Sequence, residues 1–433
     1  MRGEGNLPDL DFTIERLGAA MIPSPMKAVR FVDDDATVLF HRSLAEIEPY
    51  LDAGIRPPAF LRAGPRAHLH FDPDGLRMGM VTCGGLCPGL NDVIRALVLS
   101  AYYHYGCTTM LGYRYGYEGL NPAFGHHPLP LTPAYVDRIG DFGGTVLGSS
   151  RGEQPVEVMV DTLVRDRISV LFTIGGDGTL RGAQAIHDEI ARRGLDIAVV
   201  GIPKTIDNDI SCIQQSFGFQ TAAEEAYKAV ASANTEATGV NNGIGLVKLM
   251  GRESGFIAAY TAMVDSMVNF CLIPEVPFAL PAFLRALEER IRRRHHAVIS
   301  VAEGAGQGLF TGAMGVDKSG NVKLGDIGLL LQDAIKQHFR TVGLEVNVKY
   351  IDPSYIIRSV PANAFDSAFA LVLAHNAVHA AMAGYTNCVV GYWHNEYTLV
   401  PIQAATAARK KVDPDGWLWN SVLAATGQTR ALL

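Results

Sequence analysis

The chain has 433 residues, 48% hydrophobic and 19% charged, a length for two to four domains and a composition that excludes the disordered class. Lys plus Arg number 37 against 44 Asp plus Glu, so a net charge of −7 offers no overall basic field to nucleic acid or an anionic membrane. Its 45 glycines, against a usual share of about 7%, show no collagen period, so the fold repeatedly needs backbone without a Cβ.

Six scattered cysteines suit a reducing compartment, with the cytoplasm as the expectation. Met1 to Asn6 carry no apolar signal core, no apolar run reaches the roughly 18 residues of a membrane span, and Arg430-Ala431-Leu432-Leu433 matches no address signal.

Residues 1–75 are rich in Pro, Asp and Arg with broken periodicity, and read as an extension around a body. From Arg77 a repeating alternation begins: a short apolar run, a glycine-bearing loop, then an amphipathic stretch of helical length, the signature of a parallel α/β sheet. The run Met78 to Cys83 leads through the loop Gly84 to Asn91 into a helix over Asp92 to Tyr105, with Val93, Ile94, Leu97 and Val98 at helical spacing. Thr109 to Gly112 is the next short run. Ser169 to Ile174 meets Gly175-Gly176-Asp177-Gly178-Thr179 before a helix from about Leu180 to Arg193, and Asp196 to Ile202 ends in Pro203-Lys204-Thr205-Ile206-Asp207-Asn208-Asp209. After a helix over Thr221 to Asn234 a second series follows: Ile244 to Leu249 before Met250-Gly251-Arg252, Phe270 to Ile273 before Pro274-Glu275, and Ala297 to Val301 before Glu303-Gly304. The fold class expected is α/β: two Rossmann-like three-layer domains with mainly parallel sheets, plus an N-terminal extension.

Ligands of open α/β sheets sit at the carboxyl ends of the strands, and the unusual residues gather there. Gly84, Gly85 and Gly89 let backbone amides approach a ligand, with the following helix aiming its N-terminus at the loop. Alone, that loop does not tell an anion site from a tight turn. Gly175 to Thr179 is more specific: Asp177 can hold Mg²⁺ bridging phosphate oxygens while neighbouring amides cradle them, or it can simply cap the next helix. Gly-Lys-Ser/Thr, Gly-Ala-Gly-Asp and dinucleotide spacings are all missing. Asp207 and Asp209, on one side of an extended segment, can converge on one ligand as a base and its partner; a solvated turn is the alternative.

Taken together, Thr82 to Asn91, Gly175 to Thr179, Pro203 to Asp209 and Met250-Gly251-Arg252 resemble the phosphofructokinase family in order and spacing, over about residues 76–410. The resemblance implies a donor-binding domain over 76–218 plus 357–407, a fructose 6-phosphate domain over 219–356 and a C-terminal segment over 408–433. Asp207 would take the proton of the sugar 1-hydroxyl, Asp177 would ligate Mg²⁺, and Thr205 and Asp209 would support the phosphoryl group and the base. Gly84, Gly85, Arg151, Gly176, Gly178, Thr179 and Lys204 would contact the donor phosphates. Met250, Gly251, Arg252, Glu303, Lys349, Tyr355 and Arg358 would hold the sugar phosphate, Arg252 acting in catalysis as well.

The family divides between ATP and pyrophosphate donors. Gly178 leaves room for the α-phosphate of ATP, whereas Lys204 is the residue of pyrophosphate-using members. Glycine with lysine, and the run Gly245 to Arg252, resemble the ATP-dependent branch of plants and trypanosomatids, so ATP is expected as donor and pyrophosphate as the alternative. The resemblance further implies glycolysis, an allosteric enzyme and a homodimer or homotetramer, with no nucleic-acid or membrane partner. The effector response of the shorter bacterial enzymes does not carry over, because Asn241-Asn242-Gly243 offers no arginine and Lys349 and Tyr355 stand where Arg and His occur there.

Lipid and NAD kinases share Gly-Gly-Asp-Gly-Thr but not the other motifs, and an idle regulatory paralogue would not need Asp177, Asp207 and Arg252 intact. His375 and His379 are expected as packed helix residues rather than a metal pair, and Cys83 and Cys87 lack a second pair for zinc. Arg292 to His296 reads as a solvated helix end.

Overall fold

A computed structural model of the chain describes residues 11–27, 29–310, 315, 322–430 and 432. The first six residues, Ala431 and Leu433, read above for signals, lie outside these. The chain divides into two units, one of Met1–Lys204, Ile210–Phe217 and Asp366–Ala408, the other of Thr205–Asp209, Gly218–Phe365 and Arg409–Leu433.

The first unit is built on a nine-stranded sheet. Its centre is parallel, with Arg77–Thr82 between Thr109–Tyr113 and Val170–Gly175, then Ala198–Pro203 and Cys388–Trp393. Every residue of Val170–Gly175 and Ala198–Pro203 is buried, as their unbroken apolar sequences require for strands covered on both faces. Val81, Leu111, Leu171 and Val199 meet Leu180, Ala183 and Ile186 of the helix Asp177–Arg192 in one core. The runs read from sequence lie within one or two residues of these strands, and the helix expected over Asp92 to Tyr105 spans Leu90–Tyr105.

Residues 1–75 do more than wrap. Ala59–Arg62 pairs antiparallel with Glu396–Pro401, and Thr37–Leu39 adds the edge strand beyond it. Broken periodicity hid these strands because they are only four and three residues long. Glu396–Pro401 is itself the return of a hairpin from Cys388–Trp393, turned by His394 and Asn395, both at positive φ (52° and 64°), as a two-residue hairpin turn needs. Phe60, wholly buried, packs with Phe12, Phe40 and Trp393, the last two stacked 5.3 Å apart.

The second unit holds a four-stranded, wholly parallel sheet, ordered Phe270–Leu272, His296–Ala302, Gly243–Leu249, Asn347–Ile351. Its helices include Phe219–Thr238, Phe256–Met263, Leu280–Arg294 and Ile327–Thr341. Leu246, Ile299 and Val301 form a core with Phe283, Leu287, Leu331 and Ile335. Arg292 to Arg294 do end a helix, and His295 closes it at φ 59°.

Truncation of Phe60 to Ala is expected to cost about 3–5 kcal/mol of stability. Urea denaturation measures it; an unchanged midpoint would detach residues 37–62 from the core.

Candidate active site

In the first unit the residues expected to bind a donor stand at the carboxyl ends of three adjacent parallel strands and in one neighbouring loop. Lys204, 5% exposed, closes the Ala198–Pro203 strand. Its backbone N donates to the Gly175 carbonyl at 2.9 Å, and its Nζ donates to the Gly85 carbonyl at 2.6 Å. One buried cation thus ties both glycine loops. Gly84 N donates to the Ser150 carbonyl at 3.1 Å and Ser149 Oγ to the Gly84 carbonyl at 2.6 Å, so the loop carrying the exposed Arg151 is fastened to the first glycine loop.

Gly176 is the N-cap of the helix Asp177–Arg192. A Cβ on Gly175 would run into the Thr179 side chain, which explains glycine there by packing alone; a Cβ on Gly178 would meet no protein atom within 4 Å. Thr179 is buried, its carbonyl accepting from Tyr117 Oη at 2.6 Å. The Asp177 carboxylate accepts from Arg181 one turn on, at 2.6 Å. A single carboxylate at a helix start, among backbone amides, suits Mg²⁺ shared with phosphate oxygens. Among the described residues no cluster of three or more His, Cys, Asp or Glu could hold a metal by itself.

The chain passes to the second unit at the Lys204–Thr205 bond. The segment that carries Asp207 and Asp209 is not extended, because the backbone turns: Asn208 adopts φ 54°. Asp207 N donates to Thr205 Oγ1 at 3.1 Å, and Thr205 Oγ1 donates to Asp209 Oδ1, also at 3.1 Å. Asp209 is buried and pairs through Oδ2 with Arg409 at 2.6 Å. Lys410 N donates to the Asp209 carbonyl at 2.8 Å, and the Lys410 ammonium lies over the Phe256 ring. Burial pulls the Lys410 ammonium down to about 7, against the opposing carboxylate of Asp209.

Ser254 Oγ donates to the Asp207 carbonyl at 3.1 Å and links this loop to the Met250–Arg252 turn. Gly304 N donates to the Gly251 carbonyl at 3.0 Å, and a Cβ on Gly304 would overlap the Arg252 carbonyl, so these two strand-end loops pack only with glycine at 304. Burial raises the Glu303 carboxyl while the charges of Arg252, Lys248 and Arg358 oppose it, which gathers Arg252, Glu303 and Arg358 into one electrostatic neighbourhood. Arg252 donates to the Val322 carbonyl at 2.6 Å. Lys349 lies 3.9 Å from Glu236, and Tyr355 is 78% exposed beneath the Arg358 guanidinium.

Arg181, Arg409 and Lys410 escaped the sequence reading. Arg181 carries the readable signal, a basic residue four after Asp177 on a helix; Arg409 and Lys410 lie two hundred residues from Asp209, a pairing no local pattern reveals. His375 and His379 are packed with His104, and burial lowers them to about 4 and about 3. All six cysteines are free thiols.

Parallel sheets with glycine loops, a helix-start carboxylate and a buried lysine at their strand ends define an α/β protein of the phosphate-binding class. The phosphofructokinase family profile matches residues 77–381, and the chain belongs to that family. It is 46% identical to an ATP-dependent 6-phosphofructokinase of Amycolatopsis methanolica, over 96% of this chain and 95% of the relative. A Trypanosoma brucei brucei protein of the same name is 44% identical, over 95% of this chain and 86% of its own. ATP-dependent 6-phosphofructokinase 7 of Arabidopsis thaliana is 46% identical, over 87% and 78%. Among solved structures, a pyrophosphate-dependent phosphofructokinase of Marinobacter aquaeolei superposes with a TM-score of 0.67 at 18% identity, covering 81% of this chain and 91% of that one, and shares the fold.

Below pH 7 the folded protein must charge Lys410 at a cost. Between about 7 and the ordinary 10.5 the unfolded chain holds a proton the folded one lacks, so this group makes stability rise with pH across that window. Lys410→Met is expected to flatten the rise; denaturation midpoints from pH 7 to 9.5 read it, and an unchanged slope contradicts it.

Proposed function

We propose that this protein transfers the γ-phosphoryl group of ATP to the 1-hydroxyl of D-fructose 6-phosphate, giving fructose 1,6-bisphosphate and ADP, a step of glycolysis. The observation that carries this reading is identity of 44% to 48% to ATP-dependent 6-phosphofructokinases of bacteria, plants and trypanosomatids, mostly along nearly the whole chain. Gly178 agrees with it: a residue whose Cβ would meet no protein atom leaves space for the donor.

In the mechanism, Asp207 accepts the proton of the 1-hydroxyl as that oxygen attacks the γ-phosphorus and ADP departs. Arg252, Glu303 and Arg358 hold the sugar phosphate, the arginines matching phosphate oxygens with planar forks. Gly84, Gly85, Gly176 and Thr179 present backbone to the donor phosphates, with Arg151 and Lys204 as their cations. Asp177 would hold Mg²⁺, which when bound neutralises charge on the transferring group. Thr205 and Asp209 orient the base.

Lys204 favours a second reading, with pyrophosphate as donor, since its compact charge suits a short anion. Its ammonium is already engaged by the Gly85 carbonyl, which fits a role in loop structure as well. The protein is further proposed to act as a homodimer or homotetramer in the cytoplasm; among the described residues no helix is long and apolar enough to cross a membrane.

With Mg²⁺ and fructose 6-phosphate, the purified protein is expected to consume ATP much faster than pyrophosphate, and the reverse preference in a donor assay would overturn the ATP assignment. Asp207→Ser is expected to keep substrate binding while turnover falls by about 10²- to 10⁴-fold. Wild-type turnover in that variant would remove Asp207 from its role.

A further inference from the structure

We infer that the segment Arg409 to Val412 is a clasp that sets the Asp207 loop, with Arg409 as its positioning residue; this rests on the reading of Asp207 as the base. Four contacts within the second unit carry the inference.

Arg409 Nη1 meets Asp209 Oδ2 at 2.6 Å, a short charge-assisted bond to a carboxylate only 7% exposed. Lys410 N donates to the carbonyl of the same Asp209 at 2.8 Å, so side chain and backbone of one residue are both held from the segment. Val412 N donates to Glu275 Oε1 at 2.8 Å. That Glu275 carboxylate also accepts from Gly255 N at 3.0 Å, at the start of the helix Phe256–Met263, whose Phe256 ring lies under the Lys410 ammonium. The segment therefore grips the loop after Lys204 and the helix following Met250–Arg252 together.

The reach of Arg409 extends past Asp209. With Oδ2 fixed by Arg409, Asp209 Oδ1 is presented to the Thr205 hydroxyl, which donates to it at 3.1 Å. Its proton spent there, Thr205 Oγ1 can only accept at the other side, and it accepts from Asp207 N at 3.1 Å. Arg409 from one side, and Asp207 N through the Thr205 hydroxyl from the other, thus converge on the Asp209 carboxylate in one hydrogen-bonded chain. Arg409 thereby fixes the Asp209 carboxylate in the geometry that orients Thr205. Removal of Arg409 takes a charge-assisted partner from a buried carboxylate, and the loop must rearrange to relieve the loss. Arg409 touches no substrate in this scheme.

The test uses the full-length enzyme with Arg409→Ala and Arg409→Lys. In Arg409→Ala, kcat is expected to fall about 10²-fold with KM for both substrates nearly unchanged, because the base is misplaced while phosphate contacts stay. Added guanidinium should restore part of kcat, and amide exchange at Asp207 should accelerate. Should Arg409→Ala fail to fold, Arg409→Lys, which keeps charge but loses the fork, is read the same way with a smaller loss of kcat and the faster exchange at Asp207. Unchanged kcat, a KM increase alone, or a kcat loss that guanidinium does not restore would overturn the positioning role. If the unaltered protein lacks sugar-phosphate kinase activity, the reading of Asp207 fails and takes this inference with it. Wild-type turnover in Arg409→Ala defeats the clasp alone.

Discussion

Lys204 is the constraint around which the first unit's strand ends are arranged. A buried ammonium is tolerated only with compensating partners, and here the Gly85 carbonyl supplies one at 2.6 Å while the residue's backbone is fixed to Gly175. Both glycine loops are thereby set in place before any ligand arrives, which is the preorganisation that phosphate recognition by backbone amides requires. The excess of glycine follows from this arrangement. Gly175 is needed so that Thr179 can pack behind it, whereas Gly178 faces no protein atom within 4 Å. The two glycines of one motif thus answer to different demands, packing at the first and open space at the second.

The second unit solves a related problem with a carboxylate in place of a cation. Asp209 is buried and is compensated by Arg409 and the Thr205 hydroxyl. Around it, Ser254, Gly255 and Glu275 join the Asp207 loop to the turn that carries Arg252. Burial raises the carboxyls of Glu275 and Glu303 at these strand ends. An acidic protein can therefore hold polyanionic substrates with few cations, provided each is fixed where its charge is poorly screened.

Much of the fold was legible because parallel strands buried on both faces must be unbroken apolar runs, and Val170–Gly175 and Ala198–Pro203 are such runs. Glycine loops between those runs and amphipathic stretches marked the strand ends as well. Less legible were Thr37–Leu39 and Ala59–Arg62, too short to show a period, and the hairpin whose turn is His394-Asn395 rather than a glycine pair. At the candidate site, Asp177, Lys204, Asp207 and Arg252, whose roles are proposals, were singled out by local motifs. The turn at Asn208 between Asp207 and Asp209 and the Arg409 pairing were not legible there, since one depends on a single left-handed residue and the other on chain topology. Lys349 and Tyr355 came from the family resemblance alone; Tyr355 lies beneath the Arg358 guanidinium.

The strand-end loops of the first unit are proposed to form the site for the phosphates of ATP, with Gly178 kept small for the nucleotide rather than for the fold. Titration calorimetry of Mg·ATP into Gly178→Asp, beside its thermal unfolding, tests this most directly. The expected result is an unfolding midpoint close to that of the unaltered protein, because a Cβ at 178 points into open space, together with loss of ATP binding. A variant that binds ATP as tightly as the unaltered protein would contradict it.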